Sequence, residues 1–327
     1  MADAAPRHLL HVPQQASWDC GLACLAMIVS TLEHMQGSPG VGPSCAVAPI
    51  VTTRHATRML RHLGTLAATT STWTIDLAFV LQQLGIPFEL RSTHLGVNTG
   101  LGGLAFYSGF LDADSERVSS RQRELAALAS PLFRAVETKT NLAVLRDAVS
   151  DGSHVCVVLT DARRLAERSG AASWLSWASS GQDDWFLKMD EAGFRGHYVL
   201  LVAWRGHEGG ASEARAPPPE APAASAAVAT SAARAAPGEA AAVGTAEAVP
   251  ATPVASFPAE DGGESSVTGD AGFLDPGAPV ARIRWLPARQ FDAARLARGT
   301  DSDVIIVSLD QAQREWASGA TAGGPAK

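Results

Sequence analysis

The strongest indication of chemistry in this sequence is Cys20, which lies where a loop is predicted to become a helix. The first turn of a helix presents unpaired N–H groups and a partial positive charge, and both favour a thiolate over a thiol. Gln14 precedes Cys20 by six residues. Its side-chain amide could fold back and donate, together with the N–H of Cys20, to an oxyanion. This pattern predicts a nucleophilic cysteine that acts through an acyl thioester.

A nucleophilic cysteine needs a general base and a group that orients the base. His197 opens an apolar strand directly after Gly196, and a histidine at a strand start lies at the rim of a sheet, where a cleft would be. Asp275 lies in an Asp-Pro-Gly sequence that is also typical of a turn. Taken singly, the histidine could end a loop and the aspartate could belong to a plain turn. As a set, the candidates follow the chain order of the papain-like proteases: Gln14, Cys20, His197 and Asp275.

The elements that must position these side chains can be read from the hydrophobic pattern. Helices are predicted where apolar residues recur at helical spacing: 20–34, 54–63, a segment after Trp73, 115–137 and 142–150. Strands are predicted in β-rich apolar runs: 87–93, 154–161, 197–204, 280–286 and 303–309. Because the helices come mostly first and the strands mostly later, an α+β fold is favoured. We expect the helix that begins at Cys20 to pack on an antiparallel sheet of the last four strands, with the active cleft between helix and sheet.

The chain has 327 residues and a mean hydropathy of +0.05, which is enough apolar sequence for a core. Residues 207–270 break the pattern, because they are rich in alanine and proline and poor in large apolar side chains. They could link two domains, but the strand-like runs after them are too little for a second core. We therefore expect one papain-like domain formed by 1–206 and 271–312, a disordered insertion at 207–270 and a disordered tail at 313–327.

Charge and cysteine content narrow the class of protein. The formal net charge of −7 argues against a protein built mainly to hold nucleic acid. The cysteines are too few for a disulfide framework and none has CxxC spacing: Cys20, Cys24, Cys45 and Cys156. There is no signal-like apolar region at the start and no apolar run of about 20 residues that could span a membrane. We expect a cytoplasmic protein with free thiols and no membrane or nucleic-acid partner, and a nuclear pool stays open.

A QxxxxxCGxxC pattern from Gln14 to Cys24, followed by GHYV from Gly196 and a later Asp-Pro, resembles the bacteriocin-processing peptidase domains. Those are papain-like cysteine peptidases that cleave double-glycine leaders. The sequence resembles more closely one eukaryotic family, the guanylyl-cyclase-domain-containing proteins, which include the plant soluble guanylyl cyclase. This resemblance rests on VPQQASWDCGLACLAM (12–27), STWTIDLAFVLQQLGI (71–86), HLGVN (94–98), FRGHYVLLVAW (194–204), FLDPG (273–277) and ARGTDSDVIIVSLD (297–310).

The resemblance implies a papain-like cysteine peptidase fold in which Cys20 is the nucleophile and His197 the base. It implies further that Asp275 orients the imidazolium and that Gln14 is the oxyanion donor. We expect the substrate to be a peptide or isopeptide-like bond, with no cofactor. Cys24, one helical turn after Cys20, is expected in the core. Six residues are expected to bind substrate or shape the cleft: Trp18, Asp19, Gly21, Trp73, Asn98 and Gly196.

The family name implies a different reaction, the conversion of GTP to cyclic GMP and pyrophosphate with Mg²⁺ or Mn²⁺. That chemistry needs metal-binding carboxylates and cationic groups for the triphosphate. The sequence has no GxxxxGK[ST] loop, and the glycine-rich run at 100–103 is better explained as a flexible loop. The candidate carboxylates do not pair at a metal-binding spacing: Asp76, Asp161, Asp183, Asp184 and Asp190. A surface helix face explains the candidate phosphate ligands: Arg163, Arg164 and Arg168. The cyclase stays an alternative.

Two more alternatives stay open. A peptidase-like fold could serve as a non-catalytic binding scaffold, but a scaffold does not require all four candidate site residues. A zinc site could use Cys20, Cys24 and His197, but the sequence offers no evident fourth ligand. We expect the thiol site to work without a metal.

Overall fold

The computed structural model describes residues 9–37, 53–104, 107, 111–128, 130–166, 194–206, 267–278 and 281–317. Seven strands lie in this part of the chain: β1 Phe88–Ser92, β2 Phe133–Glu137, β3 His154–Asp161, β4 Gly196–Arg205, β5 Asp270–Leu274, β6 Arg284–Pro287 and β7 Val304–Ser308. They form one sheet in the order β2-β1-β7-β3-β4-β5-β6. Neighbouring strands are antiparallel, except that β1 and β2 are parallel. The fold is therefore mixed α+β.

The described helices cover both faces of this sheet. They are α1 Cys20–Gly37, α2 Thr53–Ala67, α3 Thr74–Gln83, α4 Leu111–Ala127, α5 Leu142–Val149, α6 Ala162–Ala166, α7 Ala288–Arg295 and α8 Leu309–Ala317, with a 3-10 turn at Thr99–Leu101. Helix α1 contacts β3, β4, α2, α3 and α8. Helices α5, α6 and α7 also contact β3, and they belong to the second layer.

Strand β3 shows why the sheet is buried on both sides. Val155 and Val157 belong to the same apolar cluster as the side chains of α1. Cys156 and Val158 point the other way and belong to the cluster that contains Phe291 of α7. Successive side chains of a strand alternate between faces, so a strand covered on both faces must be apolar throughout. This is the reason for the unbroken apolar run that predicted β3 with its observed bounds.

Helix α1 is buried on nearly every side over 22–29, where each residue is at most 6% exposed. A helix that is apolar all round lies inside a protein rather than on its surface. Here the sheet covers one side, and α2, α3 and α8 cover the others. None of the described helices is both long enough and apolar enough to cross a bilayer.

The predicted helix over 115–137 is wrong in its second half. Helix α4 ends at Ala127, and β2 begins at Phe133 and runs parallel to β1. Ser130-Pro131 separates the two elements, because proline cannot continue a helix and disfavours the helical conformation of the residue before it. The parallel pair β1 and β2 also means that the sheet is not antiparallel throughout.

Three predicted boundaries differ from the observed ones. The strand predicted at 280–286 is shorter, since β6 covers only Arg284–Pro287. Of the predicted insertion at 207–270, residues 207–266 lie outside the described residues, whereas β5 already begins at Asp270. Of the tail predicted from residue 313, the part up to Ala317 is helical and 318–327 lies outside the described residues.

The pairing of β4 with β5 brings two predicted site residues to the same edge of the sheet. Leu200 of β4 lies opposite Leu274 of β5, and the strands are antiparallel. His197 near the start of β4 and Asp275 just after the end of β5 are therefore neighbours in space. The first residue of α1 is Cys20, and α1 packs on β4. The three elements thus converge at one point.

Candidate active site

Cys20 is the first residue of α1 and is 6% exposed. The turn before it is held by Asp19, whose carboxylate accepts hydrogen bonds from the backbone N–H groups of Gln15 and Ala16 at 3.1–3.2 Å. Burial raises the pKa of Asp19 to about 6, although the backbone N–H donors oppose this rise. Asp19 therefore fixes the loop that delivers the thiol to the end of the helix.

His197 joins Cys20 to Asp275. Its Nε2 lies 3.0 Å from Oδ1 of Asp275, and its side chain is also hydrogen-bonded to Cys20. Because Nε2 faces the carboxylate, Nδ1 is the ring nitrogen left for the thiol. Burial alone would lower the pKa of His197, but the hydrogen bonds and the charges of Asp275 and Cys20 outweigh burial and raise it to about 10. The surroundings of His197 therefore favour the protonated imidazolium over the neutral imidazole.

Asp275 is itself held in place from several directions. Oδ1 also accepts from the backbone N–H of Gly277 at 2.9 Å, and Oδ2 accepts from a guanidinium nitrogen of Arg284 at 2.5 Å. The backbone oxygen of Asp275 accepts from Nε2 of His11 at 3.1 Å. Burial raises the pKa of Asp275, but His197, Arg284 and the Gly277 N–H together lower it well below its usual value. Asp275 is therefore an ionised, fixed carboxylate beside the imidazole.

Gln14 is brought to the same region. Its backbone N–H donates to the carbonyl of Pro276 at 2.9 Å, next to Asp275. Its side-chain Nε2 donates to the carbonyl of Ala16 at 3.0 Å, and its Oε1 is buried without a hydrogen-bond partner among the described residues. One of the two amide hydrogens is therefore in use within the loop, and the role of oxyanion donor stays a prediction.

A cavity of about 300 Å³ opens beside Cys20. Four aromatic side chains contribute to its walls: Trp18, Trp73, Tyr107 and Tyr198. Hydroxyl groups contribute a second set: Ser17, Thr70, Ser71, Thr72 and Thr74. Two carboxylates complete the polar lining, Asp301 and Asp303, from the turn before β7. A concave, partly aromatic cavity with a few polar groups beside a nucleophile is the usual form of a substrate site.

Of the residues predicted to bind substrate, three line this cavity: Trp18, Trp73 and Gly196. Asp19 does not line the cavity; its carboxylate holds the loop that precedes Cys20. Asn98 caps the 3-10 turn and donates from Nδ2 to Oδ1 of Asp301 at 2.7 Å, so it reaches the cavity only through that carboxylate. The remaining residue, Gly21, also lies outside the lining.

Gly21 has a packing reason to be glycine. A Cβ atom there would lie 2.8 Å from Cδ1 of Leu77 and 3.0 Å from Cδ2 of Tyr198. Both side chains belong to the core against which α1 packs. Glycine at position 21 therefore allows α1 to approach α3 and β4 closely. Cys24 is fully buried, and burial raises the pKa of its thiol well above its usual value, as expected for a core residue.

Four residues of the site were missed by sequence reasoning: His11, Arg284, Asp301 and Asp303. The first two contact Asp275, and the last two line the cavity. The only signal for the aspartates was their place in the ARGTDSD segment, which carried part of the family resemblance. His11 and Arg284 carried no local signal, because their partner lies far away in sequence.

Those of the residues considered for nucleotide chemistry that the structure describes are engaged elsewhere or exposed. Asp76 is fully buried and forms ion pairs with Arg117 and Arg121. Asp161 lies 3.8 Å from exposed Arg164. Asp183, Asp184, Asp190 and Arg168 lie outside the described residues. Within the described ranges, no three histidine, cysteine, aspartate or glutamate side chains are grouped so as to hold a metal ion. The residues that line the cavity include no arginine or lysine.

The family model described as guanylylate cyclase matches residues 9–236, which is more than half of the chain, so the chain belongs to this family. The predicted family is thereby confirmed. Guanylyl cyclase 1 of Arabidopsis thaliana is 27% identical over 195 residues, which make up 59% of this chain and 59% of the relative. The matched part thus spans less than two thirds of that relative's length. No solved structure matches the chain.

Proposed function

We propose that this member of the guanylylate cyclase family is a papain-like cysteine hydrolase that cleaves a peptide or isopeptide-like bond. The observation that carries the proposal is the position of His197, which is hydrogen-bonded to Cys20 on one side and to Asp275 on the other. A nucleophile, a base within hydrogen-bond reach and a third group that orients the base together form the arrangement that thiol hydrolysis requires. A nucleophile at a helix N terminus packed on the sheet that carries the base also supports a papain-like architecture.

The first half of the proposed reaction forms an acyl enzyme. His197 takes the proton of the Cys20 thiol, and the thiolate attacks the carbonyl carbon of the substrate. The carbonyl oxygen becomes an oxyanion, to which the backbone N–H of Cys20 and the amide of Gln14 could donate. As the carbon–nitrogen bond breaks, the imidazolium returns its proton to the leaving amine, and the acyl group stays on sulfur as a thioester.

The second half regenerates the thiol. A water molecule gives a proton to His197 and attacks the thioester carbonyl. The carbon–sulfur bond breaks, the acid product leaves, and the proton passes back from His197 to Cys20. Throughout both halves Asp275 keeps the imidazole in one orientation and stabilises its charged form.

The test is acylation by p-nitrophenyl acetate, an activated ester that needs no recognition of a particular peptide. Wild-type protein is mixed with the ester, release of p-nitrophenol is followed, and the intact mass and peptide map are measured. We expect a single acetyl group on Cys20. Cys20→Ala should remove the acetylated peptide, and His197→Ala should slow acylation by about 100-fold or more.

Cys156→Ala is the matched control, because it also removes a cysteine of the buried core, but one on the opposite face of the sheet. It should be acetylated like wild type. The proposal is wrong if folded wild-type protein neither carries an acetyl group on Cys20 nor releases p-nitrophenol faster than Cys20→Ala. That outcome would favour a non-catalytic scaffold.

A second candidate function is the conversion of GTP to cyclic GMP, which is favoured by the family description and by the name of the Arabidopsis relative. Phosphoryl chemistry needs cations around the phosphates and carboxylates around a divalent metal. Among the described residues, the lining of the cavity beside Cys20 has carboxylates but no arginine or lysine, and this part of the lining does not fit a triphosphate. The assay is cyclic GMP formation from GTP with Mg²⁺ or Mn²⁺. Turnover that persists in Cys20→Ala would favour the cyclase over the hydrolase.

A further inference from the structure

The charge of the cavity beside Cys20 is its most specific feature. Asp301 and Asp303 both face it, and neither forms an ion pair with any described residue. Oδ2 of Asp303 accepts a hydrogen bond from Oγ1 of Thr74 at 2.5 Å, and Oδ1 of Asp301 accepts from Asn98 at 2.7 Å. Hydrogen bonds hold both carboxylates, and neither forms an ion pair within the described part of the chain; burial raises the pKa of Asp301, and the charge of His94 opposes that rise.

The walls of the cavity suit a positive charge as well. Trp18, Trp73 and Tyr107 contribute aromatic surface to it. The face of an aromatic ring carries negative electrostatic potential and attracts ammonium and guanidinium groups. Carboxylates and aromatic rings in one cavity are therefore complementary to a cation with an apolar stem, because the rings also cover the stem.

A third observation is independent of the charges. Oγ of Ser17 and Oγ1 of Thr72 are buried and have no hydrogen-bond partner among the described residues, and both side chains line the cavity. A buried hydroxyl without a partner is unfavourable, so such groups are normally satisfied by a ligand or by water. Both hydroxyls can accept hydrogen bonds from N–H donors.

We propose that this cavity is a specificity site for a cationic side chain, so that the substrate carries an arginine- or lysine-like group next to the bond that Cys20 attacks. The proposal rests on the proposed hydrolase for the position of that bond. The size agrees, because about 300 Å³ is at the small end of ligand cavities and suits one long side chain rather than a nucleotide. Burial raises the pKa of Asp303 to about 7, and a cation beside it would favour its ionised form.

The test measures binding without catalysis, so that it does not depend on the thioester reaction. Full-length Cys20→Ala is titrated with Nα-acetyl-arginine amide and with Nα-acetyl-citrulline amide, which has nearly the same shape but no charge. Tryptophan fluorescence reports the binding, because Trp18 and Trp73 line the cavity. We expect the arginine probe to bind at least about tenfold more tightly than the citrulline probe.

Variants then locate the bound charge. Asp301→Asn and Asp303→Asn, each in the Cys20→Ala background, should weaken the arginine probe by about tenfold and leave the citrulline probe unchanged. Asp292→Asn is the matched control, because it removes a carboxylate that pairs with Arg295 in α7, away from the cavity lining. It should not change either affinity. Thermal unfolding confirms that each variant is folded, and Asp301→Asn alone serves as the test if Asp303 cannot be replaced.

Equal affinities for the two probes, no binding of either, or an arginine affinity unchanged in both aspartate variants would each overturn the proposal. GMP is the third probe and should not compete with the arginine probe. If GMP does compete, the cavity is a nucleotide site and the cation proposal is wrong. If the arginine probe binds as expected but wild type is not acylated by p-nitrophenyl acetate, the hydrolase fails while the cation site stands.

Discussion

Replacing Asp275 with asparagine tests the central pair of the site with almost no change of shape. The carboxylate oxygens contact His197 at 3.0 Å and Arg284 at 2.5 Å, and asparagine keeps one oxygen in the same position. The pKa of His197 is raised from 6.5 to about 10 against the opposing effect of burial. Without the negative charge, only Cys20 would oppose the effect of burial, so the pKa of His197 should fall.

The size of the effect follows from that shift. A rise in pKa from 6.5 to about 10 corresponds to roughly 5 kcal/mol in favour of the imidazolium. Asp275 and Cys20 both contribute to this stabilisation, and an equal division, used here as an order of magnitude, assigns about 2–3 kcal/mol to Asp275. Removing that part should reduce the thiolate–imidazolium population at neutral pH by roughly 30- to 140-fold.

The assay is the rate of Cys20 alkylation by iodoacetamide between pH 5 and about 9, around the free-thiol pKa, followed by peptide mapping. At neutral pH the rate in Asp275→Asn should be lower than the wild-type rate by the factor given above. Cys24 and Cys156 are fully buried in the same molecule and serve as internal controls.

Asp292→Asn is the control variant, because it also removes the acid from a partly buried acid–arginine pair. It should leave the Cys20 profile unchanged. If Asp275→Asn gives the same rate and the same pH dependence as wild type, the aspartate does not act on the histidine and the reasoning is refuted.

Three further predictions concern stability and the surroundings of the site. The raised pKa of His197 contributes stability that is full below about pH 6.5 and is lost as pH rises through about 10, while the lowered pKa of Asp275 contributes stability that is lost as pH falls below about 3.8. Chemical unfolding from pH 3 to about 10 should therefore show this contribution to be greatest between about pH 4 and 6.5. Asp275→Asn should abolish the loss at low pH and reduce the loss at high pH, because Cys20 still acts on His197. Arg284→Met removes a buried partner of Asp275 and should lower the free energy of unfolding by about 3 kcal/mol, whereas a loss below about 1 kcal/mol would mean that the ion pair is not formed. Gly21→Ala places a Cβ atom 2.8 Å from a core side chain and should cost about 1–3 kcal/mol in urea unfolding, while Gly64→Ala in α2, where the nearest atom is at 3.9 Å, should be neutral or stabilising; equal effects would contradict the packing argument.

The hydrophobic pattern predicted the elements whose own side chains determine their burial. The helix starting at Cys20 was predicted at its observed first residue, and the strand at 154–161 at both of its ends, because burial on all sides leaves long apolar runs. The strand at Phe133–Glu137 was missed, because only its parallel partner β1 makes that short segment a strand. A pairing between distant segments leaves no periodicity in either of them.

The residues of the candidate site also fall into those that the sequence predicts and those that only the fold brings together. Cys20, His197 and Asp275 were found because their residue types, neighbours and chain order are informative without a structure. Arg284 and His11 were missed because only the fold brings them to Asp275. In the sequence, Asp301 and Asp303 resemble an ordinary polar turn. Only the folded structure shows that both line the cavity beside Cys20.

The antiparallel contact of β4 with β5 has a consequence for the long connection between them. His197 and Asp275 are 78 positions apart in the chain, yet they meet through neighbouring strands. The entropy lost on closing a flexible loop grows only with the logarithm of its length, so doubling the connection costs about 0.6 kcal/mol. The pairing of β4 with β5 therefore places little constraint on the length of the sequence that connects them. A chain cut within 207–266 would separate two fragments, one with thiol and imidazole and the other with the carboxylate, and thiol reactivity would report their reassembly.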